Sequence, residues 1–180
     1  RALVAGRLHA AGRKQPQNVF LFAGPSGVGK LDLARGMAEE IYGSDRALLQ
    51  LDLGDFSESH SISRLIGSPP GYVGYQDENA LVAPLRRSPS RVVLLKDFDL
   101  AHQRVQERLI RLFREGEIAD TRGLRADATH AIFVLTVDVD LQAKGNIGFG
   151  RERGEHDSGT FARALPELAE RLRGYPVETV

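Results

Sequence analysis

Residues 24–30 read Gly-Pro-Ser-Gly-Val-Gly-Lys, the spacing GxxxxGK, directly after an apolar run at 19–23 and just before Leu33, Ala34, Met37, Ala38 and Ile41 at helical spacing. Few folds accommodate a strand that feeds a glycine loop and then opens a helix. Glycines let backbone amides turn inward, and the helix N-terminus adds its partial positive charge, so the unit forms a cradle for phosphate groups with Lys30 reaching the terminal ones. The candidate phosphate-binding residues are therefore Gly24, Pro25, Ser26, Gly27, Val28, Gly29 and Lys30, with Leu31 behind them. The plainer alternative is a glycine turn that only starts a helix. Leu31 already limits the chemistry, because a Ser or Thr hydroxyl at this point ligates magnesium and an isobutyl group cannot.

The rest of the chain fits an α/β domain. Leu49, Leu51 and Leu53 alternate as in a strand, 91–95 is a continuous apolar run of the buried parallel type, and 131–137 is another. Between the last two, a helix is expected over about 100–113, with Val105, Leu109, Leu112 and Phe113 on one face. Strands alternating with helices imply a parallel sheet with crossover helices. The segments 68–79, 116–127 and 138–159 are rich in Gly, Pro or polar residues and read as long loops.

Composition removes several functions. The 180 residues suit one domain, positions 1–180, and 24 Lys and Arg against 24 Asp and Glu give zero net charge, which lacks the basic footprint of a nucleic-acid binder. There is no cysteine, and the five histidines show no metal-ligand spacing, so the expectation is no disulfide and no metal site. No apolar run approaches the ~18 residues of a membrane span, and a cytoplasmic protein without a membrane partner is expected. The strand-like run at 175–180 suggests a piece of a longer polypeptide.

Residues 60–75, His-Ser-Ile-Ser-Arg-Leu-Ile-Gly-Ser-Pro-Pro-Gly-Tyr-Val-Gly-Tyr, together with the loop at 24–30, resemble the second nucleotide-binding module of the Clp-type AAA+ unfoldases and disaggregases. The similarity runs over about 19–148, and an SRLIG helix followed by a PPGYVGY loop is its most specific stretch. The resemblance implies the large subdomain of that module, a three-layer sandwich around a five-stranded parallel sheet. It further implies hexameric rings, homo- or hetero-oligomeric, that thread polypeptide. The family's small helical subdomain would lie beyond Val180.

Four positions that carry hydrolysis in that family differ here. Leu31 stands for the magnesium-ligating Thr. The Asp-Glu pair ending the third strand is Lys96-Asp97, and the polar sensor Asn is Asp138 in Thr136-Val137-Asp138. Misplacing a catalytic group by about 1 Å costs ~10²-fold and losing a general base ~10²- to 10⁴-fold. Weak or absent magnesium binding and slow or absent hydrolysis are the expectation. An ammonium at a strand end needs a carboxylate within roughly 4 Å to offset its desolvation. Asp138 is the first candidate partner for Lys96, with Asp97 or Asp52 behind it.

The resemblance makes Tyr72 and Val73 the residues that grip a threaded chain, since an aromatic in a Gly/Pro-rich loop is presented rather than packed. A Tyr covering a turn is the alternative. The stretch 116–127 matches the second pore loop only loosely, keeping Gly116, Asp120, Gly123 and Asp127 but holding Leu124 where the family has Arg. Pro-Glu-Leu-Ala-Glu-Arg at 166–171 resembles the family's PEFLNR and makes Arg171 the candidate finger reaching a neighbour's nucleotide, although an Arg there is also compatible with simple solvation. His102, at a helix start, reads as a cap. Catalytic candidates are thus Asp97, Asp138 and Arg171, all altered or inferred. Two readings compete: a hydrolysis-deficient pseudo-ATPase serving as a structural or regulatory ring member, and an active ATP-hydrolysing unfoldase or disaggregase module. A P-loop module of a nucleic-acid machine is disfavoured by the neutral charge and the PPGYVGY loop.

Overall fold

The computed structural model describes residues 15–16, 18–72, 74–75 and 77–138. Its elements run in the order β1 (Asn18–Gly24), α1 (Lys30–Tyr42), β2 (Leu48–Asp52), α2 (Ile62–Ile66), α3 (Val82–Arg87), β3 (Val92–Lys96), α4 (Gln103–Glu115), β4 (Glu117–Ala119), β5 (Arg125–Asp127) and β6 (Ile132–Asp138). Four strands pair in parallel in the order β1-β6-β3-β2. The resemblance implies five; the described sheet has four, and the strand-like run at 175–180 lies outside the described residues.

Alternation along these strands divides the core into two faces. Phe20, Phe22, Val92, Leu94, Ile132 and Val134 pack on one face against Ala34 and Ala38 of α1. Leu21, Val93, Leu95, Phe133 and Leu135 point the other way, against Leu65 of α2, Leu85 of α3 and Leu109 and Phe113 of α4. Both faces are covered, which is why β3 and β6 are apolar at nearly every position rather than at every second one. The three-layer α/β expectation holds.

Two local expectations change. The helix predicted over 100–113 is displaced to Gln103–Glu115, because Phe98–Leu100 closes a separate 3₁₀ turn and His102 Nδ1 accepts the Arg104 backbone N–H at 3.2 Å, capping the helix there. The segment 116–127 is not a loop but the antiparallel hairpin β4–β5. Buried Ile118 and Ala126 tie it to the core, while Asp120 Oδ1 accepts the Arg122 and Leu124 backbone N–H groups at 2.9 and 2.8 Å and closes its tip. The loop at 68–79 carries no helix or strand among its described residues. Among the described residues, no helix is long and apolar enough to cross a membrane.

Candidate functional site

Parallel pairing brings the C-terminal ends of all four strands to one edge, where ligand sites of open α/β sheets form. Gly24 of β1 is level with Asp138 of β6, and Asp52 of β2 with Lys96 of β3. The loop after β1 reaches over this edge. Gly27 and Gly29 take φ of 79° and 92°, left-handed values that a side chain resists, and Gly29 passes directly into α1. Between loop and sheet edge lies an open cleft of about 260 Å³, lined on the loop side by Ser26, Gly27, Gly29 and Lys30 and on the sheet side by Lys96, Asp97, Thr136 and Asp138.

Lys30 is held by this framework rather than projecting from it. Its Nζ donates to the carbonyls of Gly24 and Pro25 at 2.7 and 2.9 Å and lies 2.6 Å from Asp138 Oδ1. An ammonium has three N–H donors, and each has a partner here. Leu31, the next residue, packs its partly buried side chain against the cluster that includes Phe20 and Phe22.

Lys96 meets a carboxylate as expected, but Asp138 is not it. Lys96 Nζ lies 2.7 Å from Asp52 Oδ2, one of the two candidates placed behind Asp138. Register explains the correction. Leu95 is level with Leu135, so Lys96 stands level with Thr136, and Asp138 is two residues further on, roughly 6–7 Å along the strand. Asp52, by contrast, is directly beside Lys96 on the other neighbouring strand. The hydrogen bond from Lys96 holds the Asp52 carboxyl below its usual range, and the same bond raises the Lys96 ammonium above its own.

Asp97 follows at φ 53°, the one left-handed non-glycine among the described residues, which costs of order 1 kcal/mol. Its backbone N–H donates to Thr136 Oγ1 at 3.2 Å, tying the turn to β6. Burial pushes its carboxyl pKa up; the Lys96 ammonium opposes this and the Asp138 carboxylate adds to it. Three carboxylates and two ammonium groups thus share the sheet edge.

These residues suit phosphate and do not suit magnesium. Loop backbone, the start of α1 and Lys30 keep the anion cradle. Leu31, however, offers no oxygen where a hydroxyl would ligate the ion, and Lys96 places a cation at the end of β3.

A second feature lies at the tip of the 68–79 loop. Tyr72 is 70% exposed, the presented aromatic that the sequence suggests. The β4–β5 hairpin tip docks beside it: the Thr121 backbone N–H donates to the Ile66 carbonyl at 3.1 Å, Thr121 Oγ1 donates to the Ser68 carbonyl at 2.8 Å, and the Arg122 guanidinium sits 5.4 Å from the centre of the Tyr75 ring. Sequence reasoning singled out neither Thr121 nor Arg122. Val73 and Arg171 lie outside the described residues.

The family model for the AAA domain (Cdc48 subfamily) matches residues 15–174. The chain belongs to this family. Within it, the chain is a Clp-type AAA+ module: it is 38% identical over 164 residues to the ATP-dependent Clp protease ATP-binding subunit ClpC of Staphylococcus aureus (strain USA300), covering 89% of this chain and 20% of that protein. The protein of the same name from Staphylococcus saprophyticus is 40% identical over 140 residues, or 76% of this chain and 17% of that one. The chain therefore spans about a fifth of the length of these relatives.

Proposed function

We propose that this Clp-type module holds a nucleotide without turning it over, and serves as a structural or regulatory member of a ring that contacts polypeptide through Tyr72. One observation carries this reading: the Lys96 ammonium, anchored by Asp52, ends β3 where the Clp-type pattern that the sequence resembles has a metal-directing carboxylate. Phosphoryl transfer depends on the ion that neutralises charge between the β- and γ-phosphates. With Leu31 also unable to ligate, ATP or ADP is held by the loop amides, the start of α1 and Lys30, and magnesium contributes weakly or not at all. Asp97 and Asp138 are left as carboxylates without that ion, and Arg171 is the residue offered to a neighbouring subunit. The exposed Tyr72 favours polypeptide as the partner, in a homo- or hetero-hexamer of the cytoplasm with neither nucleic acid nor membrane as partner.

Steady-state phosphate release from the whole protein at saturating Mg-ATP tests this. Release at background is expected. A turnover in the usual enzymatic range of ~1 to 10³ s⁻¹, removed by Lys30→Ala, would instead establish an active ATP-hydrolysing unfoldase or disaggregase module.

A further inference from the structure

The partners of Lys30 bear on which phosphate chain the loop accepts. In a loop of this type the backbone amides cradle the α- and β-phosphates, and the lysine works at the far end, on the β- and γ-phosphates. Here the far end already holds an anion. Asp138 Oδ1 is 2.6 Å from Lys30 Nζ, and the Gly24 and Pro25 carbonyls take the other two donors. The carboxylate stands where the last phosphate of a longer chain would meet the lysine. Its backbone is fixed there, because β6 remains paired with β1 as far as Asp138, level with Gly24.

We infer that the site takes a nucleoside diphosphate in preference to a triphosphate, with the Asp138 carboxylate as an internal stand-in for the terminal phosphate. This rests on the nucleotide-holding reading above and specifies its ligand. Charge supports the same choice. The side chains lining the cleft include two cations, Lys30 and Lys96, and three carboxylates, Asp32, Asp97 and Asp138. Lys96 has little charge to spare for a phosphate, since Asp52 lies 2.7 Å from its ammonium. A γ-phosphate would therefore enter beside Asp97 and Asp138 while competing for an occupied Lys30, and the residues at hand do not suit a divalent ion that would screen it. A diphosphate can use the amides and the start of α1, and its β-phosphate can take a Lys30 donor from the Gly24 or Pro25 carbonyl while the Lys30–Asp138 contact stays in place. The Asp138 side chain is 46% exposed, so it can rotate out at a cost, and the preference is graded rather than absolute.

Calorimetric titration of the whole protein with ADP and with ATP, in chelator, tests the inference, with Lys30→Ala identifying the signal that belongs to this site. ADP is expected to bind at least about tenfold more tightly than ATP, and Asp138→Asn to shrink or reverse that ratio by gaining ATP affinity. Pyrophosphate against tripolyphosphate on the unaltered protein repeats the comparison with no variant that has to fold. Equal or tighter binding of the triphosphates overturns the inference, and so does a ratio that Asp138→Asn leaves unchanged, or no Lys30-dependent binding at all. ATP bound as well as ADP but not hydrolysed sinks the inference and leaves the hydrolysis-deficient reading standing. ATP bound and hydrolysed removes both.

Discussion

Lys96 Nζ and Asp52 Oδ2 lie 2.7 Å apart, joining register partners at the ends of two neighbouring parallel strands. The contact makes the stability of the sheet edge depend on pH at both extremes. Asp52 has a folded pKa below its unfolded value, so its contribution is present above the unfolded value of about 3.9 and is lost as pH falls through the folded one. Lys96 has a folded pKa above its unfolded value, so its contribution is complete below about 10.4 and is lost as pH rises through the folded one. The side chains are 32% and 41% exposed, and solvent screening holds the pair to about 0.2–1 kcal/mol. Asp52→Asn should lose that amount at neutral pH, and urea unfolding across an acid series should show the gap to wild type closing. A gap that persists in acid would mean that the Asp52 carboxylate is not the source.

Hydrolysis should not return when single positions are repaired. Leu31→Thr, Lys96→Asp, Asp97→Glu and Asp138→Asn are needed together, in a context that assembles a ring and supplies Arg171 in trans. The repair also carries a structural cost. Lys96→Asp alone places a carboxylate directly beside Asp52, and like charges on neighbouring strands repel. It should therefore destabilise more than Lys96→Met, which only removes the ammonium. Thermal unfolding of the two variants compares them, and an equal loss would show that the Asp52 charge is not felt at position 96.

Much of this sheet edge is legible in the sequence alone. The glycine loop is a local device, so its strand, turn and helix follow from residues 19–41 alone. The apolar runs of β3 and β6 also identify themselves, since burial on both faces leaves no polar positions. What could not be read was which side chains meet across the sheet. Pairing Lys96 with Asp52 rather than Asp138 depends on register, and register is set by the whole core. The β4–β5 hairpin was hidden for a related reason: its strands are three residues each, with one buried side chain apiece, too short to show alternation.

Nucleotide affinity should be nearly the same with magnesium and with chelator. Loop amides and Lys30 are present in both conditions, and the residues that would hold the ion are replaced at 31 and 96. Calorimetry in the two buffers makes the comparison, with Lys30→Ala expected to remove the signal. A gain of more than about tenfold on adding magnesium would show that some other group supplies the missing ligands.

The loop that carries Tyr72 is joined to the β4–β5 hairpin tip through Thr121. Tyr72→Ala should change stability by less than about 0.5 kcal/mol, because the ring is 70% exposed and packs no core. It should nevertheless reduce crosslinking of the assembled protein to an unfolded polypeptide. Thr121→Val should act on the same readout from a distance. It removes the hydroxyl donated to the Ser68 carbonyl at 2.8 Å, a bond worth about 1 kcal/mol, while keeping the side-chain shape. Gly67→Ala strikes the same joint from the other side: φ there is 96°, and an added Cβ would stand 3.0 Å from Thr121 Oγ1. That left-handed conformation alone should cost about 1–3 kcal/mol. If the hairpin tip positions the loop, all three variants lower crosslinking, and only the last two also lower stability. Normal crosslinking in Thr121→Val would mean that the Tyr72 loop keeps its position without the hairpin.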